Sequence, residues 1–176
     1  MRGTDRLWII LALLTGAATA AAHDGGFGHS RRTLYVAAAP AGWSVEYRIT
    51  VDRDEALIEM TRMDTNGDGQ VSAEERDCYF TARGRQVAGR LQAWDADGAP
   101  VTLEFVRYEL GPALTQVYHF AAVTKVSEVV LDDRNFPHKP GLVQIRTGPG
   151  VTAELAKAAN LTHAERISVR IKKAAK

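Results

Sequence analysis

The chain has one cysteine, Cys78, in 176 residues. A single thiol excludes an internal disulfide framework and any thiolate metal cluster built within one chain. An excess of one charge is also missing, since 22 Lys and Arg stand against 21 Asp and Glu, a formal net charge of +1. A nucleic-acid binder would carry a basic excess on one face, so no nucleic-acid partner is expected. With 24% charged and 45% hydrophobic residues, the composition is that of a folded protein and excludes low-complexity disorder. No internal repeat is present. Neither Gly-x-Ser-x-Gly, nor a phosphate loop, nor His-Glu-x-x-His occurs, so the sequence shows no enzyme signature.

Long apolar runs are confined to the start. Arg2 and Arg6 form a short basic region, Leu7 to Leu14 is almost entirely apolar, and Ala18-Thr19-Ala20 and Ala20-Ala21-Ala22 both carry the small-x-small pattern of a signal-peptidase site. Residues 1–22 are therefore expected to be a signal peptide, cleaved after Ala20 or Ala22. The run decays into Thr, Gly and Ala before the roughly 20 residues that a bilayer span needs. Cleavage after Ala22 removes two arginines and one aspartate and leaves no net charge. Residues 23–176 are then one domain, periplasmic or secreted, that does not span the membrane.

What is present is a change of period. Val45, Tyr47, Ile49 and Val51 alternate with polar residues, which is the pattern of a half-buried strand. Thr33–Ala38 is its expected partner, joined through the turn Pro40-Ala41-Gly42. From Asp52 the spacing becomes helical. Asp52 and Glu55 suit a capping box, and Leu57, Met60 and Met63 recur every third residue as an expected apolar face. A second helix is expected from Ala73 to about Gly84–Gly89. Strand patterns then return at Leu91–Trp94 and Val101–Phe105, flanking the turn Asp95-Ala96-Asp97-Gly98 as a hairpin, and at Thr115–Val123, Glu128–Leu131, Leu142–Thr147 and Ile167–Ile171. The expected fold is mostly β (α+β): an antiparallel β-sandwich with a helix-loop-helix inserted at about 52–88.

The most informative stretch joins those helices. Asp64-Thr-Asn-Gly-Asp-Gly-Gln-Val-Ser-Ala-Glu-Glu75 places Asp64, Asn66, Asp68, Gln70, Ser72 and Glu75 at positions 1, 3, 5, 7, 9 and 12 of an EF-hand calcium loop. The spacing has a physical cause. Ca²⁺ takes six to eight oxygens at about 2.3–2.6 Å, so the backbone must wrap around it and turn alternate side chains inward. Gly69 at position 6 permits the sharp turn. Gln70 would offer its carbonyl, Ser72 would act through a water, and Glu75 would close the site with both oxygens. By contrast, the segment that begins Asp95-Ala-Asp-Gly98 has Pro100 in its middle and Val106 at its twelfth position, which leaves it a turn. The cofactor expected is one Ca²⁺, in a structural role: sensors usually pair two loops, and Arg76 stands where the exiting helix of a sensor carries an apolar residue.

The order of segments adds a resemblance. Ala22-His23, two strands, Met63 to Glu75, Leu91-Gln-Ala-Trp-Asp-Ala-Asp-Gly98, Asp133-Arg-Asn-Phe-Pro137 and Gly148-Pro-Gly150 follow one another in an arrangement similar to the extracytoplasmic N-terminal domain of bacterial membrane proteins of the HupE/UreJ-like class. That class is associated with nickel or cobalt handling and continues into a bundle of transmembrane helices. The chain ends instead in a short basic tail at Lys176, so the resemblance implies a detached accessory domain with a membrane-protein partner, and transport is not carried over.

Other residues compete for a role. A mature N-terminus at or near His23 could chelate nickel, cobalt or copper, with His29 adding a ligand, which makes a metal-binding accessory protein the alternative function. An uncharacterised enzyme comes third. His119 is expected half-buried in a strand, while His138 and His163 have no partner at metal-ligand spacing. Cys78 reads as a buried, inert thiol, Asp132-Asp133-Arg134 as a solvated turn, and Asn160-Leu-Thr162 matches a glycosylation sequon. Mass spectrometry of the exported protein should find its N-terminus at Ala21 or His23; a chain still starting at Met1 would overturn the signal-peptide reading.

Overall fold

Alternation along the chain decides the first two strands. In β1 (Arg31–Ala39) Arg32, Leu34 and Val36 are buried, and in β2 (Gly42–Thr50) Trp43, Val45, Tyr47 and Ile49 are buried, so one face of the pair is apolar. The two pair antiparallel across the turn at Pro40-Ala41. This is a computed structural model that describes residues 31–135, 143–157 and 167–173. The expected signal peptide, His23, His29, residues 136–142 with His138, the sequon and His163, and residues 174–176 of the basic tail lie outside the described residues.

Two helices follow β2, α1 (Arg53–Met63) and α2 (Ala73–Arg90). Asp52 caps α1 by accepting a hydrogen bond from Glu55 N at 2.8 Å. The remaining strands are β3 (Leu91–Asp95), β4 (Glu104–Gly111), β5 (Thr115–Val123), β6 (Glu128–Asp133), β7 (Val143–Thr147), β8 (Val151–Lys157) and β9 (Ile167–Lys173). They form a five-stranded sheet in the order β4-β5-β2-β1-β7 and a four-stranded sheet in the order β3-β6-β9-β8. Side chains from both sheets and from α2 join one core, with Val36, Tyr47, Phe120, Leu131 and Ile171 among its members. The mostly β, two-sheet architecture and the helix pair between β2 and β3 are as the sequence implies.

Four details differ. Strand β7 runs parallel to β1, because the chain leaves one sheet after β6 and enters the other alongside β1. Val101–Phe105 is not a full partner of β3: Val101 N donates to Ala93 O at 2.8 Å and Trp94 bridges Pro100, but β4 then starts at Glu104 in the opposite sheet. There the Phe105 ring packs on Gly84 of α2, where a Cβ would stand 2.3 Å from it, so glycine permits the close approach of helix and strand. Strand β8 carries no strand pattern in the sequence, because Ala153, Glu154, Leu155, Ala156 and Lys157 are good helix formers; pairing with β9 overrides that preference. Cys78 is exposed rather than buried, since the inward face of α2 is Phe80, Gly84 and Val87.

The largest correction concerns Asp132 and Asp133. Both are buried, at the end of β6, and no solvated turn exists there. Arg32 Nη1 lies 3.0 Å from Asp133 Oδ2 and donates to the Asn135 carbonyl at 2.7 Å. Tyr47 donates to the same Asp133 oxygen at 2.8 Å, and Asn135 donates to the other through N and Nδ2 at 2.9 and 3.0 Å. Asn135 Nδ2 also reaches the Val87 carbonyl of α2 at 3.3 Å. Burial first, and then the Asp133 carboxylate, hold the Tyr47 hydroxyl far above its ordinary pKa, so it remains a donor. The cluster ties β1, β2, β6 and α2 together. Arg32→Met leaves the Asp133 charge buried without its counter-ion and should cost about 3–5 kcal/mol in urea denaturation. Tyr47→Phe removes one hydrogen bond to a charged group and should cost about 1.5–3 kcal/mol; equal losses for the two variants would contradict the ion pair's central place.

Candidate functional site

The loop between the helices is organised around its first residue. Asp64 ends α1, its N–H returning to Met60 O. Its Oδ1 accepts from Gly67 N at 2.8 Å and Asp68 N at 3.1 Å, and its Oδ2 accepts from Gly69 N at 2.8 Å. Gly67 and Gly69 adopt φ of 73° and 81°, the left-handed region in which a side chain would be strained. These turns wrap the chain around the Asp64 carboxylate. Asn66 Oδ1 accepts from Asp68 N, Asn66 Nδ2 donates to Asp68 Oδ2 at 3.2 Å, and Asp68 Oδ1 accepts from Gln70 N. Val71 anchors the far side by packing against the core.

Glu75 closes the loop on itself. Its Oε1 accepts from Thr65 N at 2.9 Å, Thr65 Oγ1 at 3.0 Å and Asn66 N at 3.3 Å. Its Oε2 accepts from Ser72 N and Ser72 Oγ, while Ser72 Oγ accepts from Glu75 N, which completes a capping box at the start of α2. Ser72-Ala-Glu-Glu75 carries the S-x-x-E signature of that box, a signal present in the sequence beside the metal-loop spacing. The Ser72 N–H, then the Ser72 and Thr65 hydroxyls, lower the Glu75 carboxyl from 4.5 to about 2. Glu75 is therefore an anion throughout the physiological range.

The structure brings Asp64, Asn66, Asp68, Ser72 and Glu75 into one hydrogen-bonded loop, and Gln70 joins through its backbone N–H. All the side-chain donors available to an ion are oxygens, the chemistry that hard cations select. Among the described residues no three His, Cys, Asp or Glu side chains stand gathered as a metal-binding group. The other Asp-x-Asp-Gly segment is a tight turn: Asp95 Oδ1 accepts from Asp97 N and Ala99 N, and Gly98 has φ of 84°.

Beneath the helix pair lies a polar chain that the spacing of apolar residues did not suggest. Met63 is buried, but Leu57 and Met60 are about half exposed, and the inward residue is Glu59. Gln116 of β5 donates to Glu59 Oε2 and accepts from the Tyr118 hydroxyl at 2.8 Å, and Arg83 of α2 lies 3.8 Å from Glu59 Oε1. Burial raises the Glu59 carboxyl above its ordinary range, while Arg83 and Gln116 pull it back. An i, i+4 reading places Glu59 on the Met63 side of α1, but nothing in the sequence says which side turns inward. His119 is half-buried on the outer sheet face, with Nε2 3.4 Å from Glu109 Oε1; burial and then Arg107 lower its pKa.

With this geometry in view, comparison with models of known protein families finds no match, and comparison with characterised proteins finds none significantly similar. Among the described residues, no helix is long and apolar enough to cross a membrane.

A carboxyl held below its unfolded pKa contributes stability that is complete above 4.5 and lost as pH falls toward 2. Ser72→Ala should raise the Glu75 pKa, followed by NMR titration, and lower stability by about 1 kcal/mol. An unchanged Glu75 titration would remove the Ser72 hydroxyl as one of the groups that hold it.

Proposed function

We propose that this protein is an exported calcium-binding module, with a single EF-hand whose ion has a structural role, acting as an interaction domain. The observation that supports it is the loop of oxygen donors wound around Asp64 between two helices, with left-handed glycines where the spacing requires them. Asp64, Asn66 and Asp68 would hold the ion through side-chain oxygens, Gln70 through its carbonyl, Ser72 through a water, and Glu75 through its carboxylate. A cation held there would offset the mutual repulsion of the Asp64, Asp68 and Glu75 carboxylates.

Glu75 has two competing duties. Each of its oxygens already accepts hydrogen bonds from Thr65, Asn66 or Ser72, so ligation exchanges capping bonds for an ion. That exchange favours modest affinity, in the range of extracellular modules at about 10⁻⁴–10⁻³ M. The two flanking helices are held by Glu59, Gln116 and Arg83 to the sheet, so a cross-link at their junction would stiffen the insertion against β5. The resemblance to the HupE/UreJ-like extracytoplasmic domain supports a membrane protein as partner.

Isothermal titration should show one Ca²⁺ bound per chain, weaker Mg²⁺ binding, and loss of the Ca²⁺ signal in Glu75→Gln. Saturating Ca²⁺ at about 100 times its Kd should add about 2.7 kcal/mol of stability. Unchanged binding in Glu75→Gln would sink the site, and calcium binding with no thermal stabilisation would sink its structural role.

A further inference from the structure

We infer that the trough between α2 and the free edge of β4 is a docking surface for an extended, acidic peptide segment of a partner protein, which adds as a strand to β4. The inference gives a surface to the interaction module proposed above, and it does not depend on the calcium loop. A groove of about 850 Å³ separates one flank of α2 from β4, and a second of about 540 Å³ leads on from it toward β3; Arg85 and Phe105 line both. Strand β4 is the outer strand of its sheet, with β5 as its one strand neighbour among the described residues. The other edge of β4 therefore offers N–H and C=O groups to a further strand. Val106 and Leu110 on that strand are 58% and 49% exposed, which is unusual cover for an edge left to water.

Charge selects the occupant. The lining of the trough carries Arg76, Arg85 and Arg107 against Asp77 and Glu109, and Glu109 pairs with Arg107 and lies near His119. Arg85, at the junction of the two grooves, is exposed and has no acidic partner among the described residues. The unmatched charge is thus positive, and an anionic side chain fits it. Shape argues for a peptide over a small anion. A small-molecule site buries most of its ligand, whereas Arg76, Asp77, Arg85, Val106 and Leu110 are all exposed around an open trough. Spacing agrees: Asp77, Thr81 and Arg85 recur every four residues, about 6 Å apart along the helix, close to the about 6.7 Å between alternate side chains of a strand.

The test uses the ¹⁵N-labelled protein and three acetylated octapeptides, of alternating Glu and Val, Lys and Val, and Glu and Pro. The Glu-Val peptide should shift the amides of Val106 to Leu110 and of α2 around Arg85, and bind at least about tenfold tighter than the Lys-Val peptide. The Glu-Pro peptide, which lacks half its main-chain donors, should lose that binding, and Arg85→Glu, at a surface position, should reverse the preference for charge. No shift in β4, equal binding of both charges, or concentration-dependent broadening of β4 without peptide, the mark of pairing with a second copy, would each overturn the proposal. Titrations with and without Ca²⁺ separate the two readings: peptide binding in a protein that takes no calcium removes the calcium loop alone.

Discussion

The Asp133 carboxylate is the constraint on which the two-sheet arrangement depends. It sits in the core with Arg32 of β1, Tyr47 of β2 and Asn135 as its partners. Burying an ion is costly unless its charge and its lone pairs are matched. Here both oxygens are matched, and Arg32 and Tyr47 reach Asp133 from the opposite sheet. Any slip of one sheet against the other would separate a buried charge from its counter-ion, which hydrophobic contacts alone would tolerate more easily. Apolar packing of Leu34, Val45, Phe120, Leu131 and Ile171 holds the layers together; the ion pair selects their register.

A similar logic recurs at the helix pair. Glu59 inside and Leu57, Ile58 and Met60 outside invert the polarity expected of a surface helix. The inversion is sustained by Gln116 of β5 and Arg83 of α2, which partner the buried carboxyl, and by the Tyr118 hydroxyl, which donates to Gln116. Both helices that flank the Asp64–Glu75 loop are thereby tied to one sheet at one place. The loop inherits a fixed entrance and exit, and its glycines and its Ser72–Glu75 box shape what lies between. The frame leaves the acidic loop exposed between two anchored helix ends.

The separate surface along α2 and β4 follows from the same frame. With Phe80, Gly84 and Val87 committed to the core, the flank carrying Asp77, Thr81 and Arg85 stands beside the edge of β4. Closeness at Gly84 and Phe105 brings helix and edge strand together, and the bulge between Phe105 and Arg107 leaves Val106 outside the regular pairing. The trough is a by-product of how the insertion packs.

Local pattern was enough for most of the elements. Alternation in β1 and β2, the caps at Asp52 and Ser72, and the glycine positions in the loop are each set within a few residues, so period and turn chemistry disclose them. Spacing likewise nominated Asp64, Asn66, Asp68, Gln70, Ser72 and Glu75 without any knowledge of the fold. What tertiary structure decided were the matters that depend on partners far along the chain. Asp133 is buried because Arg32 lies 101 residues before it, Glu59 turns inward because Gln116 awaits it 57 residues on, and β8 is a strand because β9 supplies its hydrogen bonds. Polarity in the sequence says only that a group needs a partner. Whether the partner is water or another part of the chain is settled by folding, since the free energy of a buried charge depends on what surrounds it.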